Sequence, residues 1–477
     1  MHRRWLLKQA GAVALTGGLP ALARAADSDA DHTLRIATGL VELAPDHIVS
    51  TTLYNGQFPG PLLRMRQGQR VTVDIHNDTD TPELVHWHGQ TIPAEVDGAS
   101  EEGSPFIPPH GTRRVSFEPK PAGFRFYHTH VPAYGDLNRG SYTGLAGPVY
   151  IEPADNPGSH DREVFVVLKE FAPVFSRGGD MASDALPGTA LPALQRIGRA
   201  ADAEALEKTK GFEVSYDLFS INGRMLGHGE PIRVKPGERV LFHVLNASAT
   251  EIRSLALPGH VFRVIALDGN PVPVQAEVPV LWLGTAERVS ALVEMNRPGV
   301  WIMGDLAGDD RGRGMGIAVE YAGRGGKPEW RQPGPFRWDY ARFGRPGTAA
   351  VPAETIEMII VKHNAALNGF NRWTINGEAF SMASMKPGFT LHEGRRYRVK
   401  LRNASDDIHP VHLHRHSFEL THIGGKATSG VVKDVAMLGG FQELAFDFVA
   451  DNPGPSLFHC HQQLHMDFGF MAMFNYG

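Results

Sequence analysis

Residues Phe458 to Met471 read FHCHQQLHMDFGFM and hold the chain's single cysteine with a histidine on either side. A thiolate is both a nucleophile and a metal ligand, and imidazole favours copper, zinc, iron or nickel. His459-Cys460-His461 is one of four His-x-His pairs. The others are His86-Trp87-His88, His128-Thr129-His130 and His412-Leu413-His414, the last preceded by His409. In a strand, residues two apart point the same way, about 6–7 Å apart, so each pair offers two imidazoles to one volume. Eight histidines (His86, His88, His128, His130, His412, His414, His459 and His461) suit one metal cluster. Cys460 is out of phase with its neighbours, and His409 is out of phase with His412. These two can share a different metal, which His465 completes from a loop. Two imidazoles and one thiolate form the trigonal set of a blue-copper electron-transfer centre. Lone histidines such as His47, His110, His160 and His422 are expected to be solvated or hydrogen-bonded. His416 extends the run in phase with His414 without a paired counterpart, and reads as structural or as a neighbour of the ligands.

The elements that must position these groups occur three times. Asn55-Gly56, Asn222-Gly223 and Asn376-Gly377 each open a copy, and each is followed by a turn glycine, Gly68, Gly237 or Gly394. Nine residues after each glycine stands an asparagine: Asn77, Asn246, Asn403. Between glycine and asparagine the apolar residues alternate, as in Val71, Val73 and Ile75, Val240, Phe242 and Val244, or Tyr397, Val399 and Leu401. Period two predicts strands with one buried face, and Gly, Pro and Asn separate them as in antiparallel sandwiches. The expected fold is all-β, with three sandwich domains over 31–155, 160–325 and 345–477 and a short helical insertion over 181–210. That insertion is either a surface decoration or the wall of a substrate pocket. Nine residues beyond each asparagine come His86, Leu255 and His412; two further on come His88, Leu257 and His414. The middle copy carries leucine in both slots, so folding does not require histidine there.

The 53 glycines, 34 prolines and 21% charged residues suit a soluble, turn-rich chain. Residues 1–25 read as an export leader: Arg3-Arg4, an apolar stretch, then Ala23-Arg24-Ala25 as a small-residue cleavage site. RRWLLK resembles a twin-arginine signal, with an ordinary secretory signal as the alternative. Removing Arg3, Arg4, Lys8 and Arg24 makes the formal charge of −5 more negative. Such a chain has no electrostatic attraction to nucleic acid, and no later apolar run of membrane-spanning length follows. One cysteine makes no internal disulfide, which leaves intermolecular pairing, a reactive thiol or a metal ligand.

The four ordered histidine clusters resemble those of the multicopper oxidases, the laccase-like family, over the whole chain beyond the leader. The resemblance implies three cupredoxin-like Greek-key domains and four copper ions. His409, Cys460 and His465 match the type 1 ligands, and His86 and His412 the type 2 ligands. His88, His128 and His461 match one type 3 set, and His130, His414 and His459 the other. The implied reaction is one-electron oxidation of phenols or aromatic amines, with a cuprous or ferrous donor as the alternative, coupled to four-electron reduction of dioxygen to water. The family's axial slot falls on Phe470, which has no lone pair to give; a loop shifted by one would offer Met471. Asp97 falls where the family keeps a carboxylate that helps deliver protons, although Asp268-Gly269 recurs in the middle copy and suggests a turn role. Bacterial relatives often carry an acid directly after the last type 1 histidine, where this chain has Met466. No methionine-rich run is present; the nearest is Met382 and Met385, which favours small organic donors. A two-domain nitrite reductase, a copper store and a non-catalytic assembly protein of the same fold fit less well, because three copies and all eleven ligands are kept. The expected setting is periplasmic or secreted, reached through the export machinery, with the chain acting as a monomer.

Overall fold

The computed structural model describes residues 29–153, 160–177, 211–347 and 350–477. The leader over 1–25 and the helical insertion over 181–210 lie outside the described residues. What is described is a succession of three β-sandwiches. In the first, the sheet of His47–Tyr54, His32–Ala44, Val71–Asn77 and Thr112–Phe117 faces the sheet of Leu63–Arg66, Ala146–Glu152, Gly123–His128 and His86–His88. Leu34, Val73, Trp87 and Val149 fill the space between them.

The repeated asparagines do the same work in each copy. Asn77, Asn246 and Asn403 are buried, and each amide ties a loop to a strand end. Asn77 Nδ2 donates to the carbonyls of Thr81 and Ile107, at 2.8 and 3.1 Å. Asn246 donates likewise to Glu251 and Leu283, and Asn403 to Asp407 and Gly439. Each Oδ1 accepts from the backbone N–H two residues on. The opening asparagines, Asn55, Asn222 and Asn376, have φ of 51, 53 and 53°. That is a left-handed turn that asparagine tolerates. Each spans the neighbouring strand with both amide atoms.

Two features go beyond strict alternation. Arg239–Asn246 is buried along nearly its whole length, because its second face packs against the first sandwich. There the His243 ring lies 5.4 Å from Phe124 and 5.1 Å from Tyr150. The middle and third sandwiches also share a twelve-stranded sheet. It passes from one to the other through Phe212–Ile221 and Phe370–Ile375, joined where Phe212 meets Phe370. Pairing the two edges removes strands that would otherwise be open to intermolecular pairing, and it merges the middle and third cores into one apolar cluster.

Candidate metal centre

Two antiparallel strand pairs carry or flank the candidate ligands. His86–His88 pairs antiparallel with Gly123–His128, His86 opposite His128. His409–Leu413 pairs with Ser456–Cys460, His412 opposite His459 and Val411 opposite Cys460. Opposed residues share a face, so His412 and His459 point one way. Cys460 points the other, with His409. A helix, Gln463–Asp467, then turns the chain back and brings His465 to the cysteine.

On that second face Cys460 Sγ lies 3.6 Å from His409 Nδ1 and 3.5 Å from His465 Nδ1, and the two nitrogens are 3.0 Å apart. A point roughly 2 Å from all three atoms exists, near the ~2.0–2.3 Å that nitrogen and sulfur keep from a bound first-row ion. All three residues are buried. Burial pushes the Cys460 thiol up and holds His409 down at about 4, so a thiolate here needs a cation beside it. The Phe470 ring sits 4.9 Å from that of His409. Met471 packs instead with Leu457, Met466 and Met473, opposite His459 in the sheet. Trp373 lies over His465 with ring centroids 4.0 Å apart. Its indole N–H donates to Asp407 at 3.3 Å, and Asp407 pairs with Lys362 at 2.9 Å.

On the first face all eight histidines converge and are buried. Ligand atoms fall into three close groups: His86, His88 and His412; His88, His128 and His461; His130, His414 and His459. The hydrogen bonds fix where the lone pairs point. His459 Nδ1 donates to the Cys460 carbonyl at 2.8 Å, and His414 Nδ1 donates to Asp97 Oδ2 at 2.9 Å. Their Nε2 atoms are then both unprotonated, and they face each other at 3.0 Å. His86 and His412 donate through Nδ1 to the carbonyls of Asp97 and Asp434, which leaves both Nε2 atoms buried without a partner. His130 has no hydrogen bond on either ring nitrogen. Burial, reinforced by the neighbouring imidazoles, holds His88, His128, His130, His412, His414, His459 and His461 well below the usual range. Neutral rings with lone pairs turned inward repel one another, and a cation between them removes that repulsion. Copper suits this nitrogen-rich set, with one thiolate site alongside.

Asp97 is wholly buried. Its Oδ2 lies 3.0 Å from His86 Nδ1 as well as 2.9 Å from His414 Nδ1, and its Oδ1 has no partner. Asp268 does something different: it accepts from the backbone N–H groups of Asp434 and Val435 and pairs with Lys433. Several residues here carry no signal in the local pattern. Glu102 accepts from the Leu457 N–H at 2.7 Å, and burial and the Asp97 charge push it well up. Asp467, two residues past His465, accepts from the N–H groups of Ala133 and Tyr134 and is raised by burial to about 7. Trp373 and Asp434 are likewise reached only through the fold. His416 Nδ1 donates to the His414 carbonyl and its Nε2 accepts from the Tyr476 hydroxyl, apart from the ligand groups. His110 is exposed and pairs with Asp80.

Three family models described as multicopper oxidase match residues 37–156, 199–319 and 351–477. The chain is 28% identical to Multicopper oxidase MmcO of Mycobacterium tuberculosis (strain ATCC 25618 / H37Rv), across 96% of this chain and 91% of that protein. It is 25% identical to Laccase-3 of Thanatephorus cucumeris, across 93% and 90%. The crystal structure of a multi-copper oxidase from Pseudomonas thermotolerans superposes with a TM-score of 0.70 at 24% identity, covering 94% of this chain and all of that one. Among the described residues no helix is long and apolar enough to cross a membrane.

Proposed function

The chain belongs to the multicopper oxidase family, and on that premise we propose that it is a laccase-like member using four coppers to oxidise small aromatic donors. His409, Cys460 and His465 would hold the type 1 ion, and His86 and His412 the type 2 ion. His88, His128 and His461 would hold one type 3 ion, and His130, His414 and His459 the other. When bound, copper supplies the one-electron oxidation of donor and the four-electron reduction of dioxygen to water. The observation that carries this reading is the inward convergence of buried, unprotonated ring nitrogens beside a single buried cysteine sulfur.

The protein's own groups orient and connect these sites. The backbone joins Cys460 directly to His459 and His461, so one short covalent path leads from the thiolate to ligands of both type 3 sets. Asp97 fixes the tautomers of His86 and His414, and its unpartnered Oδ1 is where a proton would be held beside the cluster. Phe470 supplies bulk without a lone pair at the axial slot, which favours the cuprous state and a higher potential.

Aromatic donors are favoured over metal ions by what surrounds His465. Trp373 covers it, and the Phe370 and Phe468 rings stack nearby at 4.5 Å. The carboxylates of Asp407 and Glu213 are both taken up by Lys362, so neither is left to bind a cation. Met385 is half-buried against the Met466 and Met471 cluster, which leaves Met382 as the one exposed thioether of that pair. Export through the Arg3-Arg4 leader and a monomeric working state belong to the same proposal.

Copper per chain together with the visible spectrum tests the assignment. Four coppers, an intense blue thiolate band and a near-ultraviolet shoulder are expected; one copper, or none after loading, would sink it. Cys460→Ser should lose the blue band and donor oxidation while keeping fold and cluster copper. Turnover of Cu(I) far faster than of any phenol would overturn the donor class.

A further inference from the structure

Asp434 stands in the run Val431 to Met437, follows no histidine motif and is wholly buried. Its carboxylate takes a bidentate fork from Arg288, 2.6 Å on each oxygen, and a bond from Arg125 at 3.3 Å. Arg288 comes from the middle sandwich and Arg125 from the first. Asp268, also from the middle sandwich, accepts from the Asp434 and Val435 N–H groups at 3.2 and 3.1 Å. Lys433 bridges Asp268 and Glu287 at 2.9 and 3.0 Å. Three cations and three carboxylates from all three sandwiches thus balance in one buried network.

That network ends on two ligands. Asp434 Oδ1 lies 3.1 Å from His88 Nε2, and the Asp434 carbonyl accepts from His412 Nδ1 at 2.7 Å. The two imidazoles are stacked, with centroids 3.8 Å apart and planes 15° from parallel. A carboxylate clamped by two guanidiniums accepts and does not donate, so His88 must carry its proton on Nε2. Its lone pair is then on Nδ1, which faces His128 Nε2 at 3.3 Å. His412 has the opposite assignment, with its lone pair on Nε2. The glycine after His88 marks how closely the network approaches. Gly89 has φ of 77°, and a Cβ there would lie 2.5 Å from Asp434 Oδ2 and 2.7 Å from Arg288 Nη2.

We propose that Asp434 is a positioning residue that sets opposite tautomers on two stacked copper ligands, turning Nδ1 of His88 and Nε2 of His412 inward, and that the metal-free middle sandwich holds it in place through Arg288 and Asp268. This rests on the copper assignment above. It gives the middle sandwich a part in building the cluster that its leucine-filled ligand slots do not reveal. The side chain acts on His88 and the main chain on His412, so a side-chain substitution perturbs one and spares the other.

The test uses the full copper-loaded chain. Asp434→Asn leaves the main-chain bond to His412 but removes the charge that anchors Arg288 and lets the side chain present an amide N–H to His88. The expected result is loss of the near-ultraviolet shoulder and retention of cluster copper weakened roughly 10–100-fold, with the blue band at wild-type intensity. Arg288→Lys keeps the charge balance, loses the fork, and should show a smaller loss of the same shoulder if Asp434→Asn fails to fold. An unchanged shoulder with only a lower melting temperature overturns the proposal, as does a blue band that falls in step with the shoulder. A wild-type protein that lacks both bands sinks the copper assignment itself, which separates the two failures.

Discussion

The middle and third sandwiches answer the same structural question with different residues. Leu255 stands in Arg253–Ala256, opposite Leu281 on the neighbouring strand, and is wholly buried with Leu257 in the core. His412 stands in His409–Leu413, opposite Val435, equally buried. The strand-to-helix corner is also shared. Val300–Gly304 leads to the helix Gly308–Gly312 as Ser456–Cys460 leads to Gln463–Asp467. In the middle copy Arg311 from that helix donates to the Asp305 carbonyl at 2.6 Å; in the third, His465 faces Cys460. One scaffold therefore holds either an apolar plug or a cluster of side chains able to bind metal. What the middle copy lacks in histidines it supplies as the buried ions Arg288, Asp268 and Glu287, which sit behind the histidines of its neighbours.

The largest effect is expected when the first copy is given the middle copy's residues. His86→Leu with His88→Leu should leave a folded chain with its blue band intact, no near-ultraviolet shoulder and no measurable dioxygen uptake. Unfolding, seen by circular dichroism, would mean that the slot needs histidine after all. The reverse exchange, Leu255→His with Leu257→His, buries two imidazoles with no metal and no hydrogen-bond partner. It should destabilise by about 2–4 kcal/mol per site, read in a denaturant melt, without raising copper per chain. The buried asparagine common to all copies ties a loop to a strand end in each. Asn77→Ala, Asn246→Ala and Asn403→Ala each orphan buried carbonyls and should each destabilise by about 1–3 kcal/mol. A loss confined to the two ligand-bearing copies would show a role in metal binding instead of folding. The smallest effect is expected from Phe470→Met, which restores a weak axial donor. Copper content and colour should persist while the type 1 potential falls, measured by redox titration; an unchanged potential would leave Phe470 as core only.

Much of this arrangement is legible along the chain because its causes are local. Strand parity decides that His409 faces away from His412, and Cys460 away from His459 and His461. The left-handed Asn55, Asn222 and Asn376 and the buried Asn77, Asn246 and Asn403 follow from turn and loop geometry within one copy. Other features have no local cause. Leu241, His243 and Leu245 are buried on the face that alternation alone would leave to solvent, because a second sandwich covers it. Asp97 and Asp268 look alike as Asp-Gly turns, yet one meets two ligand imidazoles and the other meets main-chain N–H groups of the third copy. Trp373 and Asp467 lie near His465 only after the helix Gln463–Asp467 has turned the chain back.

The residues able to bind metal, their pairing and the threefold repetition are determined by the sequence alone, since each depends on spacing within a few strands. Tertiary structure decided which ligands from separate sandwiches share a volume, which ring nitrogen each turns inward, and what stands behind it. The reason is physical. A tautomer is chosen by the partner of the other nitrogen, and for His88 that partner is Asp434, 346 residues away in the chain and held there by arginines from two other sandwiches.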